Sequence, residues 1–419
     1  EMSDSRSMLD TRLGAKLNLN WRKKLSLEYQ LYNNNSNFSN DWNAYTQKRH
    51  IIPGNGYAYY SKLGYTNLDW NGYLSFSPNS YFNFAAGRGK NFFGDGYRSL
   101  LLSDVSSNYE YLKITTTVWH LRYVNLFTNF KDIRNAQGKP SQFKNKYATF
   151  HYLSWNATKR INISFFESII WQSRDTSSNK LGYDVNYLNP VIFYRSTEYA
   201  LGSSDNALIG ASFKIKLFKK QQFYGQLLID EFLLKEIQAK SGWWANKQGF
   251  QLGLKSFDCF KISNLYFQAE WNYVRPYTYA HSNTNQNYAH FNEPLAHPLG
   301  ANFSEYFINL NFQKKLVMLD LKITYAKVGL DSAKFNYGQD IYKSNLTYAN
   351  AYGNKVGQGL TTDILTSQIT IAYLLNKANN IRLELGANQR LQNNSLGNRT
   401  STYFFVGIRT ALFNHYSDF

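Results

Sequence analysis

Hydrophobic and polar residues alternate with a period of two near the start of the chain. The odd positions are Leu9, Thr11, Leu13, Ala15, Leu17, Leu19 and Trp21, whereas the even positions are Asp10, Arg12, Gly14, Lys16, Asn18 and Asn20. Successive side chains of a β-strand point to opposite faces of the sheet. The pattern therefore predicts a strand with one apolar and one polar face.

The same period recurs through the chain, for example over residues 265–273, 306–312 and 381–387. Helical spacing appears nowhere with comparable strength. A secreted soluble β-sandwich also alternates, so the period alone predicts an all-β fold without placing the chain in a membrane.

Strand length and aromatic content favour a transmembrane barrel over the soluble alternative. Many segments keep the alternation for about 10 residues, which a tilted strand needs to cross the hydrocarbon layer, whereas soluble strands average about five or six. Aromatic residues make up 17% of the chain, and the final stretch TSTYFFVGIRTALFNHYSDF is rich in them. Rings near strand ends would form the interfacial girdles of an outer-membrane barrel.

Short and long connections also alternate along the chain. The short turns are basic or polar and lie at Arg22–Lys24, Thr158–Arg160, Lys219–Gln221, Gln313–Lys315 and Lys377–Asn379. The long polar stretches span roughly 33–61, 89–109, 131–146, 173–205, 231–247, 275–301, 327–363 and 391–401. Outer-membrane barrels have tight periplasmic turns and long outer loops. We therefore predict an all-β transmembrane antiparallel β-barrel, integral to the bacterial outer membrane.

About 17 strands can be counted, with one joint near Thr117–His120 that carries no clear turn signal. If the turn at Arg22–Lys24 is periplasmic, the first strand runs inward from the outside. A closed bacterial barrel normally has an even number of strands. We therefore expect about 18 strands, or 16 if two segments are loops, and one domain over residues 1–419 that lacks an upstream N-terminal segment.

Two long segments are apolar enough to fold into the lumen, namely residues 173–205 and 275–301. Wholly solvated loops rarely carry such apolar runs. The sequence predicts a lumen partly plugged by inward-folded loops rather than a free-diffusion pore.

The chain has a formal net charge of +18. In a soluble protein this balance would first suggest nucleic acid, but a barrel facing anionic lipid or polysaccharide explains it equally well. For the barrel we expect outer-membrane lipid as a partner and no nucleic acid.

The stretch GRGKNFFGDGYRSLLLSD, residues 87–104, is rich in glycine and charge. It matches no dinucleotide, phosphate or calcium loop, because no GxGxxG, Lys-Ser/Thr or acidic-ligand spacing is present. It reads as a bend after a strand, turned into or over the lumen, in which Arg88, Lys90 and Arg98 pair with Asp95 and Asp104. A second interpretation makes it a ligand-binding loop that offers hydrogen bonds and ring faces to a sugar. Its candidate ligand-binding residues are Arg88, Lys90, Asp95, Tyr97, Arg98 and Asp104.

No catalytic or metal motif emerges. His281-Ser282-Asn283 supplies the residue types of a hydrolase within one loop, but adjacency in sequence is poor support for triad geometry. The histidines lack metal-ligand spacing and Cys259 is the single cysteine. We expect a non-enzymatic protein without a cofactor or metal.

Three blocks resemble the Wzi-like capsule-assembly barrels, especially their gliding-motility-associated relatives in the Bacteroidetes. They are Gly87-Arg88 with residues 93–104, residues 188–195 and residues 292–302, together with the closing strand. The resemblance implies an 18-stranded barrel with a blocked lumen. It also implies a surface polysaccharide lectin, or an accessory of gliding motility and type IX secretion that contacts other envelope proteins.

Two functional classes follow. The first is a binding or assembly protein that engages an acidic surface polysaccharide or a partner of the envelope machinery, since aromatic faces stack on sugars and basic side chains pair with acidic groups. The alternative is an anion- or sugar-selective outer-membrane channel.

Overall fold

The computed structural model describes residues 7–62, 64–173, 182–193, 205–410, 416 and 418 of the chain. The strands are β1 (Asp10–Trp21), β2 (Leu25–Ser36), β3 (Ile51–Ile52), β4 (Gly56–Tyr57), β5 (Tyr59–Ser61), β6 (Gly64–Phe76), β7 (Phe82–Gly89), β8 (Tyr109–Val118), β9 (Leu121–Asp132), β10 (Lys144–Trp155), β11 (Ile161–Gln172), β12 (Asn206–Lys216), β13 (Gln221–Glu231), β14 (Lys247–Phe257), β15 (Leu265–Val274), β16 (Ala289–His290), β17 (Glu293–Pro294), β18 (Phe303–Lys314), β19 (Val317–Leu330), β20 (Leu360–Asn376), β21 (Ile381–Asn394) and β22 (Gly397–Arg409). The helices are α1 (Asn40–Arg49) and α2 (Leu234–Gln238), and short 3-10 turns lie at Pro140–Gln142, Val185–Leu188, Cys259–Lys261, Thr284–Gln286 and Asn345–Thr347.

The long strands form one antiparallel meander. Strand β1 pairs with β2, and β2 with β6. From β6 onwards each long strand pairs with the next one along the chain, up to the pair β21–β22. Five of the 22 strands in the described residues have only two or three residues, so 17 long strands remain. The all-β antiparallel fold expected from the alternation is confirmed.

The two ends of the sheet differ in the length of the connections between their strands. At one end, the turn end, the connections have two to seven residues, from the two residues 119–120 to the seven residues 258–264. At the opposite end, the loop end, the connections include residues 37–63, 90–108, 275–302 and 331–359. The joint that lacked a turn signal is a two-residue turn at Trp119-His120, where Trp119 has a positive φ of 54°.

The predicted long stretch over residues 391–401 is wrong. These residues belong to β21 and β22, which are joined by Ser395-Leu396 alone. The turn closes between Asn394 and Gly397, where φ is 136°, a conformation that glycine adopts readily. The asparagines near the end of β21 lengthen the strand and do not form a loop.

The two faces of the sheet differ in polarity. Along β22 the even positions Phe404, Val406 and Ile408 are more than 70% exposed. In β20, Ile369, Ile371 and Tyr373 are exposed, whereas Thr362 and Thr366 on the other face are buried. Apolar outward residues alternating with polar inward ones are the pattern of a transmembrane barrel wall. No helix in the described part of the chain is long and apolar enough to cross a membrane.

The described part of segment 173–205 lies on the outer face of the wall, not in the lumen. Tyr183 and Tyr187 pack against Trp171, which is an outward residue of β11. The Phe193 amide donates to Glu167 Oε2 at 2.8 Å, also on the outer face. Residues 174–181 and 194–204 are outside the described residues. The expectation that this segment folds inward is therefore wrong for residues 182–193.

Candidate functional site

Two connections from the loop end fill much of the space enclosed by the sheet. The first luminal loop, residues 90–108, follows β7 and reaches across to β13, β14, β15 and β18. The second luminal loop, residues 275–302, joins β15 to β18 and contains the β16–β17 ribbon. Inward folding of residues 275–301 is thereby confirmed.

An apolar core joins the two luminal loops to the inner wall. Leu100, Leu101 and Leu102 are fully buried, and they belong to the same apolar cluster as Phe150 and Phe166 of the wall. Leucine runs are tolerated inside a polar barrel because neighbouring apolar side chains remove them from water. The leucine triplet of the first luminal loop therefore acts as the centre of a plug.

Tyrosines of the second luminal loop hold the backbone of the first. The Tyr279 hydroxyl donates to the carbonyl of Leu100 at 2.8 Å, and the Tyr288 hydroxyl donates to the carbonyl of Leu101 at 2.5 Å. The Ser103 amide donates to the carbonyl of Leu295 at 2.8 Å. These bonds satisfy backbone groups that would otherwise be buried without partners.

A carboxylate of the wall fixes the turn that precedes the leucines. Glu270, an inward residue of β15, accepts the Tyr97 amide at 2.7 Å and the Arg98 amide at 3.0 Å. The Tyr97 ring stacks on Phe307 of β18 with 4.0 Å between the ring centroids. Charge-assisted bonds to two successive amides hold this turn firmly against the wall.

Arg98 is the most enclosed charge of the plug. Its side chain is 0% exposed, and Nη2 lies 3.5 Å from Glu305 Oε1 and 3.4 Å from Asp418 Oδ1. Burial favours the neutral form, but Asp418 and Glu305 outweigh it and hold the pKa of Arg98 above its ordinary value. Glu305 Oε2 also accepts a hydrogen bond from His297 Nε2 at 2.6 Å. This one carboxylate of the wall therefore contacts Arg98 of the first luminal loop and His297 of the second.

A second buried carboxylate joins three connections of the loop end. Glu293 Oε1 accepts the Gly54 amide at 2.7 Å, and Oε2 accepts the Ser107 hydroxyl at 2.9 Å. Burial raises the pKa of Glu293 to about 7, although these two bonds and nearby Lys90 favour the ionised form. Glu293 is thus a titratable contact among residues 37–63 and the two luminal loops.

The plug leaves a cavity of about 1490 Å³ beside it. The cavity is bounded by residues of β1 and β19–β21, by residues on both faces of β22, and by the first luminal loop. Among the lining residues that the structure describes, the charged ones are Asp10, Arg12, Asp104, Asp320, Lys322, Arg382, Glu384 and Arg409, and the aromatic ones are Phe38, Trp42, Phe92, Tyr97, Tyr403, Phe404, Phe405 and Tyr416. Basic and acidic side chains are equal in number, so the charge of +18 is not concentrated here.

Three of the six predicted ligand-binding residues lie at or beside this cavity. Tyr97 and Asp104 line it, and Asp104 accepts the hydroxyl of Tyr416 at 2.5 Å. The Tyr97 hydroxyl donates to Asp418 Oδ2 at 2.8 Å, which places Arg98 directly behind the cavity wall. Ligand binding by these residues stays a prediction.

The other three candidates serve different contacts. Arg88 belongs to β7 and pairs with Asp69 at 2.5 Å, and Lys90 Nζ lies beside Gly54. Asp95 pairs with Lys214 of β12 at 2.6 Å. The predicted pairing within the loop is therefore wrong for Arg88, Arg98 and Asp95, because the loop crosses the lumen and meets the wall. Lys90 does interact electrostatically with Asp104, as well as with Glu293.

Four residues of the barrel wall complete the site and were not predicted from the sequence. Glu270 and Glu305 lie on the polar faces of their strands, and Arg382 and Glu384 lie on the polar face of β21. The signal that could have found them is an acidic residue on the inward face of a strand, which must meet a buried partner if the lumen is filled.

The buried histidines of the luminal loops have structural partners. His290 Nδ1 accepts the Lys131 amide at 2.9 Å, and burial lowers the pKa of His290 well below its ordinary value. Burial likewise lowers the pKa of His297, with Glu305 opposing the shift. Across the described ranges, no three His, Cys, Asp or Glu side chains are grouped as metal ligands would be.

The chain is similar in fold to several solved outer-membrane proteins. They include OpdQ of Pseudomonas aeruginosa (7% identity, 96% of this chain, 90% of that chain, TM-score 0.48) and OccD3 (OpdP) of the same organism (10%, 98%, 88%, 0.48). The outer membrane protein OprD of Pseudomonas aeruginosa is another (9%, 97%, 90%, 0.45). No family model and no curated protein matches the chain.

The resemblance to the Wzi-like capsule-assembly barrels is wrong, because the matching solved structures are OprD and Occ proteins. Roles in capsule binding, gliding motility or type IX secretion consequently have no support. The antiparallel wall, its apolar outer face and its filled interior are those of a β-barrel integral to the outer membrane.

Proposed function

We propose that this outer-membrane barrel is a selective channel for small polar solutes, which pass beside its luminal loops. The observation that carries the proposal is the cavity of about 1490 Å³ between the plug and the inner wall formed by β19–β22 and β1. A barrel of this strand number would be an open pore if its lumen were empty. Because the loops fill most of the lumen, the remaining path selects by size.

The residues that line the cavity suit a solute with hydroxyl groups better than a simple anion. Arg382 Nε lies 2.6 Å from Glu384 Oε1, and Glu384 also faces Arg409 at 3.9 Å, so the inward arginines are partly neutralised. Aromatic rings such as Tyr97 and Tyr403 can stack on the faces of sugar rings, and paired charges can bond to hydroxyls. A sugar-sized polar molecule therefore fits this lining better than an ion that needs a positive field.

Reconstitution of the purified protein into planar bilayers tests the proposal. We expect small, steady conductance with weak preference for anions over cations, and a reduction of the current when a neutral sugar is added on one side. Tyr403→Ala, on the inner face of β22, should weaken that reduction. Leu385→Ala, an exposed outward residue of the neighbouring strand β21 that is not among the described residues lining the cavity, is the control and should leave it unchanged.

The proposal fails if folded protein, verified by its β-type circular dichroism, carries no current above that of lipid alone. It also fails if the current is large and equally permeable to sugars of all sizes, because the luminal loops would then not restrict the path.

A further inference from the structure

The turn end of the sheet carries half of the excess positive charge of the chain. Its eight connections hold ten basic residues and one acidic residue, and they span residues 22–24, 77–81, 119–120, 156–160, 217–220, 258–264, 315–316 and 377–380. The connections of the loop end are much longer, yet they hold sixteen basic and eleven acidic residues. The turn end therefore contributes +9 of the formal net charge of +18, whereas the loop end contributes +5.

The cations of the turn end are exposed, and nearly all of them have no acidic partner. They lie at Arg22–Lys24, Lys159-Arg160, Lys219-Lys220, Lys261, Lys315 and Lys377, and every one is exposed. Within the part of the chain that the structure describes, the only ion pair among them joins Lys220 Nζ to Asp258 Oδ2 at 2.7 Å. A positive field without internal counter-charges attracts an anionic partner.

The geometry of the turns does not explain the choice of basic residues. Arg22, Lys23, Lys261 and Lys315 have φ between 48° and 64°. Glycine and asparagine adopt this left-handed conformation more readily than residues with long side chains. The turns would form at least as easily without these cations, so their charge calls for another explanation.

An exposed aromatic ring directly precedes a cation in three of these turns. The dipeptides are Trp21-Arg22, Phe218-Lys219 and Phe260-Lys261, and their rings are 68, 76 and 82% exposed. Aromatic rings at the ends of membrane-spanning strands lie at the level of the lipid headgroups. Lysine and arginine side chains extend from the edge of the hydrocarbon layer toward those headgroups. The cations therefore lie where the phosphate groups of a lipid leaflet are.

The cations follow the rim of the barrel wall and do not form a compact pocket. Five consecutive turns carry them, from residues 156–160 to residues 377–380. Two strands separate one turn from the next, so consecutive turns lie about 10 Å apart. This cationic arc suits a row of lipid molecules around the barrel. The turns at residues 77–81 and 119–120 hold no lysine or arginine, which leaves one sector of the rim without the feature.

We propose that the turn end of the barrel binds anionic phospholipids of the periplasmic leaflet through these cations, in preference to zwitterionic phospholipids. The short turns of outer-membrane barrels face the periplasm, so the cations meet the leaflet on that side. The contact of a barrel wall with lipid chains needs no charge, whereas this contact selects the headgroup. A soluble acidic protein or the cell-wall polymer would not need exposed aromatic rings beside the cations. The inference does not depend on whether the barrel conducts.

Fluorescence quenching by brominated lipids measures this preference at chosen positions. A bimane label is attached at Ala378→Cys, in the cationic arc, or at Ser80→Cys, in the sector without lysine and arginine, both on a Cys259→Ala background. The labelled protein is placed in vesicles of phosphatidylethanolamine and phosphatidylglycerol, of which one or the other carries bromine on its acyl chains. Beside residue 378 we expect phosphatidylglycerol to be favoured by about 5- to 10-fold, and beside residue 80 we expect no preference. High salt should reduce the preference beside residue 378, because it screens the charges.

Neutralised variants separate the turn end from the overall charge. Replacing the basic residues 159, 160, 219, 315 and 377 together by glutamine should lower the preference beside residue 378 to less than about 2-fold. The matched control replaces five exposed loop-end lysines by glutamine, at positions 48, 139, 235, 240 and 355, and should keep the wild-type preference.

Equal quenching by the two lipids beside residue 378 would overturn the inference, and this measurement needs no change to the cations. An equal preference beside residues 378 and 80, or its loss in the loop-end control, would assign the effect to the overall charge. Binding of the solubilised protein to isolated cell-wall polymer, lost in the turn-end variant and without any lipid preference, would make that polymer the partner. Each of these results contradicts the proposal.

Discussion

Replacing Arg98 by methionine should release the first luminal loop from the barrel wall. Arg98 lies between Glu305 and Asp418 with none of its side chain exposed, and its two contacts are 3.5 and 3.4 Å long. Methionine has a similar length and leaves no large void. The substitution therefore removes the charge while keeping most of the packing.

The cost follows from the carboxylates that remain. Removing one partner from a buried ion pair typically costs about 3–5 kcal/mol, because the other charge stays desolvated. Glu305 keeps His297 and Asn272 as bonding partners, so we take the lower half of that range, about 3–4 kcal/mol. At about 1.4 kcal/mol per factor of ten, the population of the released loop should rise by about 100- to 1000-fold.

Single-channel recording and limited trypsin digestion measure this release. We expect Arg98→Met to flicker to a higher conductance level and to become cleavable at Lys90, whereas the wild type stays at one level and resists. Lys214→Met is the matched control, since its pair with Asp95 is partly exposed and should contribute at most about 1 kcal/mol. The double variant Arg98→Met with Glu305→Gln should recover part of the loss, because the uncompensated charge is gone.

Wild-type gating and wild-type protease resistance in Arg98→Met would refute this reasoning. That result would mean that the apolar core around the leucine triplet fixes the loop without help from the ion pair.

Three further outcomes are expected. The pKa of Glu293 is about 7 in the folded protein and lower in the unfolded chain, so its contribution to stability is full below about pH 4 and is lost as the pH rises through about 7. The free energy of unfolding should fall by about 3 kcal/mol across this range. Thermal melting should show this loss in the wild type and much less of it in Glu293→Gln. Leu101→Ala, at a fully buried position, should destabilise the plug by about 2–5 kcal/mol, measured as faster hydrogen exchange in the first luminal loop, and unchanged exchange would contradict its central place. Arg382→Ala should shift the reversal potential in a salt gradient toward cation preference, while Lys220→Ala in an exposed turn should not.

The wall of the barrel could be predicted well because period-two alternation reports directly which face of a strand meets lipid. Strand β1 and the hairpins at Arg22–Lys24 and Lys377–Asn379 follow from that pattern alone. The stretch over 391–401 misled because polar residues such as Asn393 and Asn394 also suit the inward face and the rim of a barrel strand.

Contacts between distant segments could not be predicted in the same way. The partners of Arg98 are Glu305 and Asp418, more than 200 residues away, whereas sequence reasoning could only pair it with nearby acids. The position of residues 182–193 failed for a related reason. Tyr183 and Tyr187 are as suited to an outer aromatic surface at Trp171 as to a lumen, and the sequence does not tell which face they cover.

Conductance with and without the first luminal loop tests the central claim most directly. The wild type is compared in planar bilayers with a variant in which residues 90–108 are replaced by a short Gly-Ser linker, after both are shown to be folded. We expect a small, sugar-sensitive conductance in the wild type and a several-fold larger, sugar-insensitive one in the variant. Absence of current in the wild type, or equal conductance in the two proteins, would contradict it.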